Sequence, residues 1–257
     1  MGMFSKFIRR SQEISSGVQI QEHRGVRSLH LGTPHVQSAM RIQAPEKLEL
    51  EYTRCMMAFT LFCENPSNII MIGLGGGSIV RFLHAKMPDV SLTTIESNEE
   101  VLHAARAWFK LPEDERHVVQ IEDGAAYIAT RVQVADVIFV DAFDGNDLAP
   151  MLGSELFYFD CQRALREKGV LAVNLWGGDP RFGEWLELIR SAFDGKVLCL
   201  PGQTRGNVIA FGLKIQDLPG HAYLMHRAEI MQSVFDIDLR SYVTTLETVN
   251  PFLLSMR

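Results

Sequence analysis

The stretch "IIMIGLGGGSIVRFL", residues 69–83, decides the fold, because an apolar run meets four glycines and then a helical pattern. Glycine-rich turns between a strand and a helix hold nucleotides, since the backbone approaches the ligand closely and the helix N-terminus favours polar or anionic groups. The dinucleotide fingerprint G-x-G-x-x-G requires glycine at position 78, where Ser78 stands. The spacing therefore disfavours NAD, and we expect Gly73, Gly75 and Gly77 to cradle another nucleotide or nucleoside.

From residue 69 onward, apolar strands alternate with helical segments, which indicates βαβ units and a mainly parallel sheet. Right-handed crossovers place the carboxyl ends of the strands on one rim, where ligands bind near the topological switch point. The predicted strands are "IIMIG", "SLTTIE", "VVQIED", "DVIFVD" and "GVLAVNLW", and the predicted helices are 78–87, 98–109, 124–132 and 154–167. A further helix at "DPRFGEWLELIRSAF", a closing hairpin of "KVLCLPG" and "GNVIAFGLK", and one or two helices within 221–249 complete the prediction.

The segment before this alternating region has a different pattern. Residues 17–45 alternate in short stretches broken by glycine and proline, which predicts a small β-hairpin unit. Residues 46–63 lack glycine and proline and place apolar residues at helical spacing. We therefore expect an N-terminal β-layer with a linking helix over 1–63, and an α/β nucleoside-binding domain with C-terminal helices over 64–257.

Composition narrows the classes of partner. The formal net charge is −6, which argues against nucleic acid and is compatible with a cationic small substrate. The four cysteines form no CxxC pair, so zinc and redox-motif interpretations are weak, and free thiols in a reducing cytoplasm are expected. No apolar run approaches the length of a membrane span, and the basic start lacks the long apolar core of a signal peptide.

Two acidic positions follow the glycine turn in order. Glu96 ends the next predicted strand, 19 residues after Gly77, where an acid accepts hydrogen bonds from ribose hydroxyls. The alternative is an acid that caps the helix beginning near Asn98. Asp123 and Gly124 stand where a strand passes into a helix, so Asp123 either accepts from an adenine amino group or caps that helix. The ordered series suggests an adenosine site more strongly than any member alone.

A second pair of carboxylates lies in "ADVIFVDAFDGNDLAP". Asp141 ends an apolar strand and Asp144 follows in a loop, so both belong to the same rim as the glycine turn. Two neighbouring carboxylates can hold a cationic amine by charge attraction. One of them can also accept a proton when the amine becomes a nucleophile. The alternative is an ordinary turn, although an acid at the end of a buried strand is costly unless it is used or paired.

Four motifs together resemble spermidine synthases: "NPSNIIMIGLGGGSIVRFL", "IESNEEVLHAAR", "IEDGAAYI" and "DVIFVDAFDG…SELFYFDCQRALREKGVLAVNLW". The resemblance covers about Leu29 to Leu213 and implies a class I methyltransferase-like Rossmann fold with an N-terminal β-layer. It implies that Gln37, Glu96 and the Asp123-Gly124 pair contact the methylthioadenosine part of the donor. Asp141 would be the proton acceptor and Asp144 would help hold the amines. Tyr52 and Tyr158 match tyrosines near the acceptor.

The departures from the family pattern fall mostly in the amine half of the site. The acid of the family's glycine turn is Gly76 here, and its Tyr-His-Glu stretch is Tyr52-Thr53-Arg54. The loop proline is Gly145, and a late segment reads "CLPGQTRGN" with Arg205 added. Arginines in the pocket would repel a polyamine, whereas arginines that point to solvent would not.

The favoured hypothesis is aminopropyl transfer from decarboxylated S-adenosylmethionine to a putrescine-like amine, without a metal. Methyl transfer from S-adenosylmethionine is the alternative, because Gly76 removes a negative charge that would repel the carboxylate of that donor. A non-catalytic nucleoside-binding protein is the third hypothesis, although the retained Asp141 argues against it. The resemblance also implies a homodimer or homotetramer.

Overall fold

The computed structural model describes residues 10–13, 17–144, 147–148, 153–203 and 206–251. The first four strands form an antiparallel sheet in the order β1-β2-β3-β4. Leu29 on β3 is fully buried, which fixes the face of this sheet that packs on the rest of the protein. The strands are β1 (Arg10–Glu13), β2 (Val18–His23), β3 (Val26–Leu31) and β4 (Ser38–Arg41).

The linking helix is shorter than the sequence predicted. Helix α1 spans Glu51–Met56 and continues as a tighter 3₁₀ helix over Met57–Leu61, whereas residues 46–50 are not helical. Leu48 and Leu50 are both buried, and this spacing of two residues is that of extended chain. The prediction of a helix from residue 46 was therefore wrong at its start, because extended chain buries these two leucines on one side.

A seven-stranded sheet forms the centre of the larger unit. Its strands are β5 (Asn68–Ile72), β6 (Ser91–Glu96), β7 (His117–Ile121), β8 (Ala135–Val140), β11 (Leu165–Trp176), β12 (Val197–Pro201) and β13 (Asn207–Leu213). The short strands β9 (Phe143–Asp144) and β10 (Asp147–Leu148) pair with each other. The helices are α2 (Ser78–Lys86), α3 (Glu99–Trp108), α4 (Gly124–Ile128), α5 (Glu155–Ala164), α6 (Phe182–Ala192), α7 (His221–Phe235) and α8 (Leu239–Val249).

The strand order is β12-β13-β11-β8-β5-β6-β7. The strands are parallel except β13, which runs antiparallel to β11 and β12. The chain moves outward from β5 to β7 and then returns to the other side of β5 at β8, so the order reverses between β5 and β8. This is the position at which a doubly wound sheet binds its ligand. The structure confirms the expected α/β Rossmann-like architecture with a small N-terminal β-layer.

Both faces of the sheet are covered, which explains why its strands read as continuous apolar runs. Alternate residues of β5 enter different apolar clusters, with Ile69 and Met71 on one side and Ile70 and Ile72 on the other. The first cluster includes Phe59 of the 3₁₀ helix, whose ring meets Phe139 edge-on at 5.3 Å. The linking helices thus lie on one face of the sheet, close to the ends of β5 and β8.

The end of the sheet shows two details that the prediction did not contain. The closing hairpin forms as predicted, and its second strand, β13, lies between β11 and β12, an order that the prediction did not specify. Helix α5 ends at Ala164 and β11 begins at once, with a register shift against β8 between Leu165 and Val170. At the outer edge, the Asn250 side chain hydrogen bonds to both backbone groups of Cys199 on β12. No helix in the described part of the chain is long and apolar enough to cross a membrane.

Candidate active site

A cavity of about 280 Å³ opens at the carboxyl ends of β5, β6 and β8. Its position at the switch point follows from the strand order, because the loops after β5 and β8 separate there. Most of the residues singled out in the sequence meet at this cavity. Those that line it are Gln37, Tyr52, Gly73, Gly75, Glu96, Asp123, Gly124 and Asp141.

The glycine turn approaches the loop after β8 more closely than a side chain would allow. Gly73 has φ +92°, and a β-carbon there would lie 2.3 Å from the backbone oxygen of Asp141. Gly77 does not line the cavity, but it starts α2 with a left-handed backbone, φ +69°. The two glycines therefore serve different purposes, since Gly73 permits the close approach and Gly77 begins the helix.

Glu96 ties the turn to the loop that follows β6. Its Oε2 accepts from the backbone N–H of Leu74 at 2.9 Å, and its Oε1 accepts from that of Asn98 at 2.8 Å. Burial raises the pKa of the Glu96 carboxyl, and the backbone N–H groups oppose that rise by stabilising its charge. The carboxylate thus stands at the cavity wall with both oxygens held by backbone N–H groups.

Asp123 performs the capping role that the sequence left open. Its Oδ1 accepts from the backbone N–H of Ala126 at 2.8 Å and caps α4. The side chain is exposed and also lines the cavity. Capping uses one carboxylate oxygen, so the second oxygen is available to a ligand.

Asp141 lies at the end of β8 between two hydrogen-bond donors. Tyr52 Oη donates to Oδ2 at 3.0 Å, and Asn174 Nδ2 donates to Oδ1 at 2.8 Å. Burial raises the pKa of the Asp141 carboxyl, and the Asn174 and Tyr52 bonds act in the opposite direction. No ion pair of Asp141 occurs within the described residues, so the donors bonded to this carboxylate are the neutral side chains of Tyr52 and Asn174.

Two asparagines in this arrangement were not predicted. Asn174 on β11 is 2% exposed, and its Oδ1 accepts from Asn207 Nδ2 on β13 at 3.0 Å. A signal for Asn174 was present, because it is the polar residue within the apolar run "GVLAVNLW". Asn207 had no comparable signal, because it is the first residue of β13. Its contact with Asn174 depends on the pairing of β13 with β11, which the sequence did not specify.

The N-terminal layer contributes two of the expected residues. Gln37 lines the cavity, and its backbone N–H donates to Leu29 O of β3 at 2.9 Å. Tyr52, on the first turn of α1, also donates to Gln37 O at 3.4 Å. Beside it, the Glu51 carboxylate accepts from the backbone N–H of Gln203. This acid at the start of α1 was not singled out in the sequence, although it directly precedes Tyr52.

The altered amine half is described in part. Arg54 turns away from the cavity, since its Nη1 donates to Leu48 O at 2.8 Å and to Glu49 O at 3.1 Å. Thr53 lines the cavity and its Oγ1 donates to Leu50 O at 2.6 Å. Arg205 and Gly145 lie outside the described residues. Asp144 belongs to β9, and its side chain is likewise outside the description.

Gly76, which replaces the family's acid, has no room for a side chain. A β-carbon there would lie 2.8 Å from both Phe109 Cδ1 and Ser38 Oγ. Behind the turn, the buried Arg81 donates to Gly76 O, to Phe109 O at 2.7 Å and to Pro45 O at 2.9 Å. Burial lowers the pKa of Arg81 to about 10, so the guanidinium is still charged at neutral pH. A cation therefore lies behind the turn where the family pattern has an anion.

Tyr158 is not among the residues that line the cavity. It is fully buried in α5, and its ring packs against Phe157 at 5.4 Å. Its hydroxyl has no hydrogen-bond partner within the described part of the chain. Its suggested contact with an acceptor stays a prediction. No cluster of three or more His, Cys, Asp or Glu suited to a metal ion occurs among the residues described.

Three comparisons with known proteins agree with this architecture. The family model named Spermine/spermidine synthase domain matches residues 49–175. The polyamine aminopropyltransferase of Chromobacterium violaceum is 37% identical over 97% of this chain and 97% of its own length. That of Neisseria meningitidis serogroup A is 38% identical over 95% of each chain.

Solved structures show the same fold at lower sequence identity. A spermidine synthase in complex with the transition state analogue AdoDATO has a TM-score of 0.72 and 21% identity, covering 95% of this chain and 85% of that one. Human methyltransferase-like protein 13 in complex with SAH has a TM-score of 0.67 and 23% identity, covering 73% of this chain and 93% of that one.

Proposed function

Because this chain belongs to the spermine/spermidine synthase family and transfers an aminopropyl group, we propose that the donor is decarboxylated S-adenosylmethionine and the acceptor a small diamine of the putrescine type. The single observation that carries the proposal is Asp141. It is a partly buried acid without an ion-pair partner in the described structure, held by Tyr52 and Asn174 at the wall of the cavity of about 280 Å³.

The donor's nucleoside is assigned to the part of the cavity formed by the ends of β5, β6 and β7. Glu96 would accept from the ribose hydroxyls, and Asp123 with Gly124 would meet the adenine. Gln37 would close this part from the N-terminal layer. Support for this assignment is that all four residues line the same cavity. The glycine turn presents backbone next to them, so a flat nucleoside is able to lie against it.

The acceptor amine is assigned to Asp141 and Tyr52, with Asp144 and Tyr158 as further predicted contacts. A desolvated carboxylate attracts an ammonium strongly, because few waters screen the charge. The net charge of −6 raises the concentration of cations near the protein as a whole. Arg54 supports the assignment by pointing away from the cavity, so it does not repel the amine.

The chemistry balances with the groups at hand. The amine nitrogen attacks the methylene carbon next to the sulfonium, a C–N bond forms, and the C–S bond breaks with its electron pair passing to sulfur. The sulfonium becomes the neutral thioether of methylthioadenosine, and the attacking nitrogen becomes positively charged. Before the attack, Asp141 accepts a proton from the bound ammonium, because a protonated nitrogen has no lone pair, and Asp141 later returns this proton to solvent. Positioning the two substrates supplies most of the remaining acceleration.

Replacing Asp141 tests the assignment. Asp141→Asn should lower kcat by at least about 100-fold, because a proton acceptor contributes roughly 10²–10⁴-fold, while methylthioadenosine binding stays nearly unchanged by calorimetry. Asp136→Asn is the matched control, since Asp136 lies on the same strand and pairs with Arg166 at 3.1 Å. It should cost stability without changing kcat. Full activity of Asp141→Asn would refute the proposed role, and loss of nucleoside binding would indicate a structural one.

The identity of the donor is tested by titrating the protein with decarboxylated S-adenosylmethionine and, separately, with S-adenosylmethionine. We expect preference for the decarboxylated compound. The charges near the turn make this comparison informative. Gly76 stands where the family pattern has an acid, and the Arg81 guanidinium lies behind it, so the turn does not repel the carboxylate of S-adenosylmethionine. A clear preference for the carboxylated compound would instead favour methyl transfer on this scaffold.

We also propose that the protein acts in the cytoplasm as a homodimer or homotetramer. The compartment is supported by Cys55, Cys63, Cys161 and Cys199, all of which are free thiols. Light scattering of the purified protein at several concentrations measures the assembly state. A monomer at all concentrations would contradict the second part of the proposal.

A further inference from the structure

A chain of hydrogen bonds links Asp141 to the side-chain amides of Asn174 and Asn207 in the sheet. Asn174 donates from Nδ2 to Asp141 Oδ1 at 2.8 Å and accepts at Oδ1 from Asn207 Nδ2 at 3.0 Å. In the β11–β13 ladder, Asn174 is opposite Ile209 and Asn207 is opposite Trp176. The two amides are therefore diagonal neighbours on one face of the sheet, a distance that side chains of this length bridge.

The direction of the Asn174 amide matters, because its two ends have opposite hydrogen-bonding character. If the amide were reversed while Asn207 kept its orientation, its oxygen would face the oxygen of Asp141 and its NH₂ would face the NH₂ of Asn207. Both contacts would then be repulsive. Because Asn174 is 2% exposed, water is not available to compensate for such a mismatch.

We propose that Asn207 is a positioning residue that fixes the direction of the Asn174 amide, and that Asn174 thereby holds the Asp141 carboxylate as a correctly oriented anion. The inference rests on the proposed role of Asp141 as proton acceptor. With Asn174 on one oxygen and Tyr52 on the other, the plane of the carboxylate is fixed relative to the cavity. The chain thus orients its proton acceptor with neutral donors rather than with a basic side chain.

The groups around Asp141 are few. Tyr52 of α1 is the titratable side chain bonded to it, and Asn174 of β11 is neutral. On β5, the residues that pair with the end of β8 are apolar up to Ile72, and the turn that follows is glycine-rich. Glu96 and Asp123 line the same cavity. A variant at position 207 can therefore change the pKa of Asp141 in two ways. It can change the hydrogen bond from Asn174 to Asp141, or it can introduce a charge that acts on Asp141 without Asn174.

The variant Asn207→Asp separates these two routes. The introduced carboxylate, when ionised, accepts from the Asn174 NH₂, which turns the Asn174 oxygen toward Asp141 and removes its donor. Asn174→Leu removes the amide altogether, and the double variant shows what a charge at position 207 does without it. The titration of Asp141 is followed by carboxyl-¹³C NMR of selectively labelled aspartate, assigned by difference from Asp141→Asn. The introduced carboxyl appears in the same spectra, so the comparison is made where it is ionised.

Loss of a donor to the anion raises the pKa of its carboxyl. A hydrogen bond to a charged group is worth about 1.5–3 kcal/mol, so Asn174→Leu should shift the Asp141 titration upward by about 1–2 pH units. Asn207→Asp should also raise the titration midpoint of Asp141. We expect this rise to be at least about one pH unit larger when Asn174 is present than in the Asn174→Leu variant. The acid limb of kcat/KM against pH should move in the same direction. Equal shifts of Asn207→Asp in both backgrounds would overturn the proposal.

Asn250→Leu is the control for a merely structural loss. Asn250 also bonds through its side-chain amide to backbone groups, here of Cys199, at the edge of the sheet. It should lower the free energy of unfolding and leave the Asp141 titration unmoved. The experiments distinguish the role of Asp141 as proton acceptor from the role of Asn207 as positioning residue. A fully active Asp141→Asn variant would refute the role of Asp141. An inactive one, together with equal shifts, refutes the role of Asn207 alone.

Discussion

The α-carbon of Gly73 faces the backbone oxygen of Asp141 so closely that a β-carbon on Gly73 would lie 2.3 Å from it. This contact joins the turn after β5, which lines the donor half of the cavity, to the end of β8, which carries the acid. The turn after β5 and the end of β8 can lie this close together only because residue 73 is glycine and has no side chain.

Replacing this glycine by alanine should damage stability and binding together. For Gly73→Ala we expect a loss of about 3 kcal/mol in the free energy of unfolding, from the positive φ and the overpacking combined. Methylthioadenosine affinity should fall as the turn moves. Urea unfolding and calorimetry measure the two effects. Gly25→Ala is the control, because Gly25 also has positive φ, +76°, but nothing within 4 Å of its β-carbon position. It should lose only about 1 kcal/mol, and equal losses would contradict the close-contact explanation.

The second prediction concerns Asp141 and pH. Its pKa is raised in the fold, so the folded state holds this proton more tightly than the unfolded state does. Its contribution to stability therefore decreases as pH rises from the unfolded pKa, about 3.9, through the folded one. Asp141→Asn should accordingly stabilise the protein at pH 7.5, by about 1 kcal/mol, while it lowers kcat.

Urea unfolding of wild type and Asp141→Asn at pH 7.5 and near pH 4 checks this expectation. The stabilising difference should shrink toward the lower pH, because the wild-type acid becomes protonated there. Asparagine keeps both contacts, since its oxygen accepts from Asn174 and its NH₂ donates to Tyr52. A difference that does not change with pH would show that the gain has another origin.

Third, Glu96→Gln should weaken nucleoside binding. The new NH₂ must face the backbone N–H of either Leu74 or Asn98, both of which now donate to the carboxylate. The ribose hydroxyls also lose their proposed charged acceptor. Because a hydrogen bond to a charged group is worth about 1.5–3 kcal/mol, methylthioadenosine affinity should drop roughly 10- to 100-fold. Asp123→Asn is matched to it, because an amide oxygen still caps α4, and its effect should be smaller. The reverse ranking would reassign the dominant acceptor to Asp123.

Fourth, the buried Arg81 should be a large stabilising contributor despite having no acid partner in the described structure. It bonds to the backbone oxygens of Pro45, Gly76 and Phe109, which belong to three separate segments. Arg81→Met leaves these oxygens unsatisfied, and we expect a loss of about 2–4 kcal/mol. Arg106→Met removes an exposed pair with Glu113 and should cost less than about 1 kcal/mol. Thermal or urea unfolding separates the two, and similar losses would deny Arg81 this linking role.

Much of the architecture follows from local sequence patterns. Runs such as "DVIFVD" predict buried strands because both faces of the sheet are covered, and the strand-turn-helix order at the glycine turn is present in the structure. The start of α1 was misplaced because residues 46–63 contain no glycine or proline to mark where the helix begins, although Leu48 and Leu50 have the spacing of extended chain. The insertion of β13 between β11 and β12 is a choice of partner strand, which no local pattern specifies.

Three acids that line the cavity were singled out from the sequence, whereas the two asparagines that extend from Asp141 were not. Glu96, Asp123 and Asp141 follow strand ends, and parallel strands bring those ends to one rim. Asn174 and Asn207 became neighbours only through the order of strands β11 and β13. The direction of Arg54 was likewise beyond the sequence, because it depends on the backbone oxygens of Leu48 and Glu49 just before α1.

The amide of Asn250 has a consequence for how the protein behaves when crowded. By bonding to both the N–H and the oxygen of Cys199, it occupies the place that a further strand would take beside β12. An unprotected sheet edge is a template for aggregation, and a single side chain from the end of α8 blocks that template here. A foreign strand would first have to displace Asn250, so loss of this side chain is expected to open the edge of β12 to pairing with another chain.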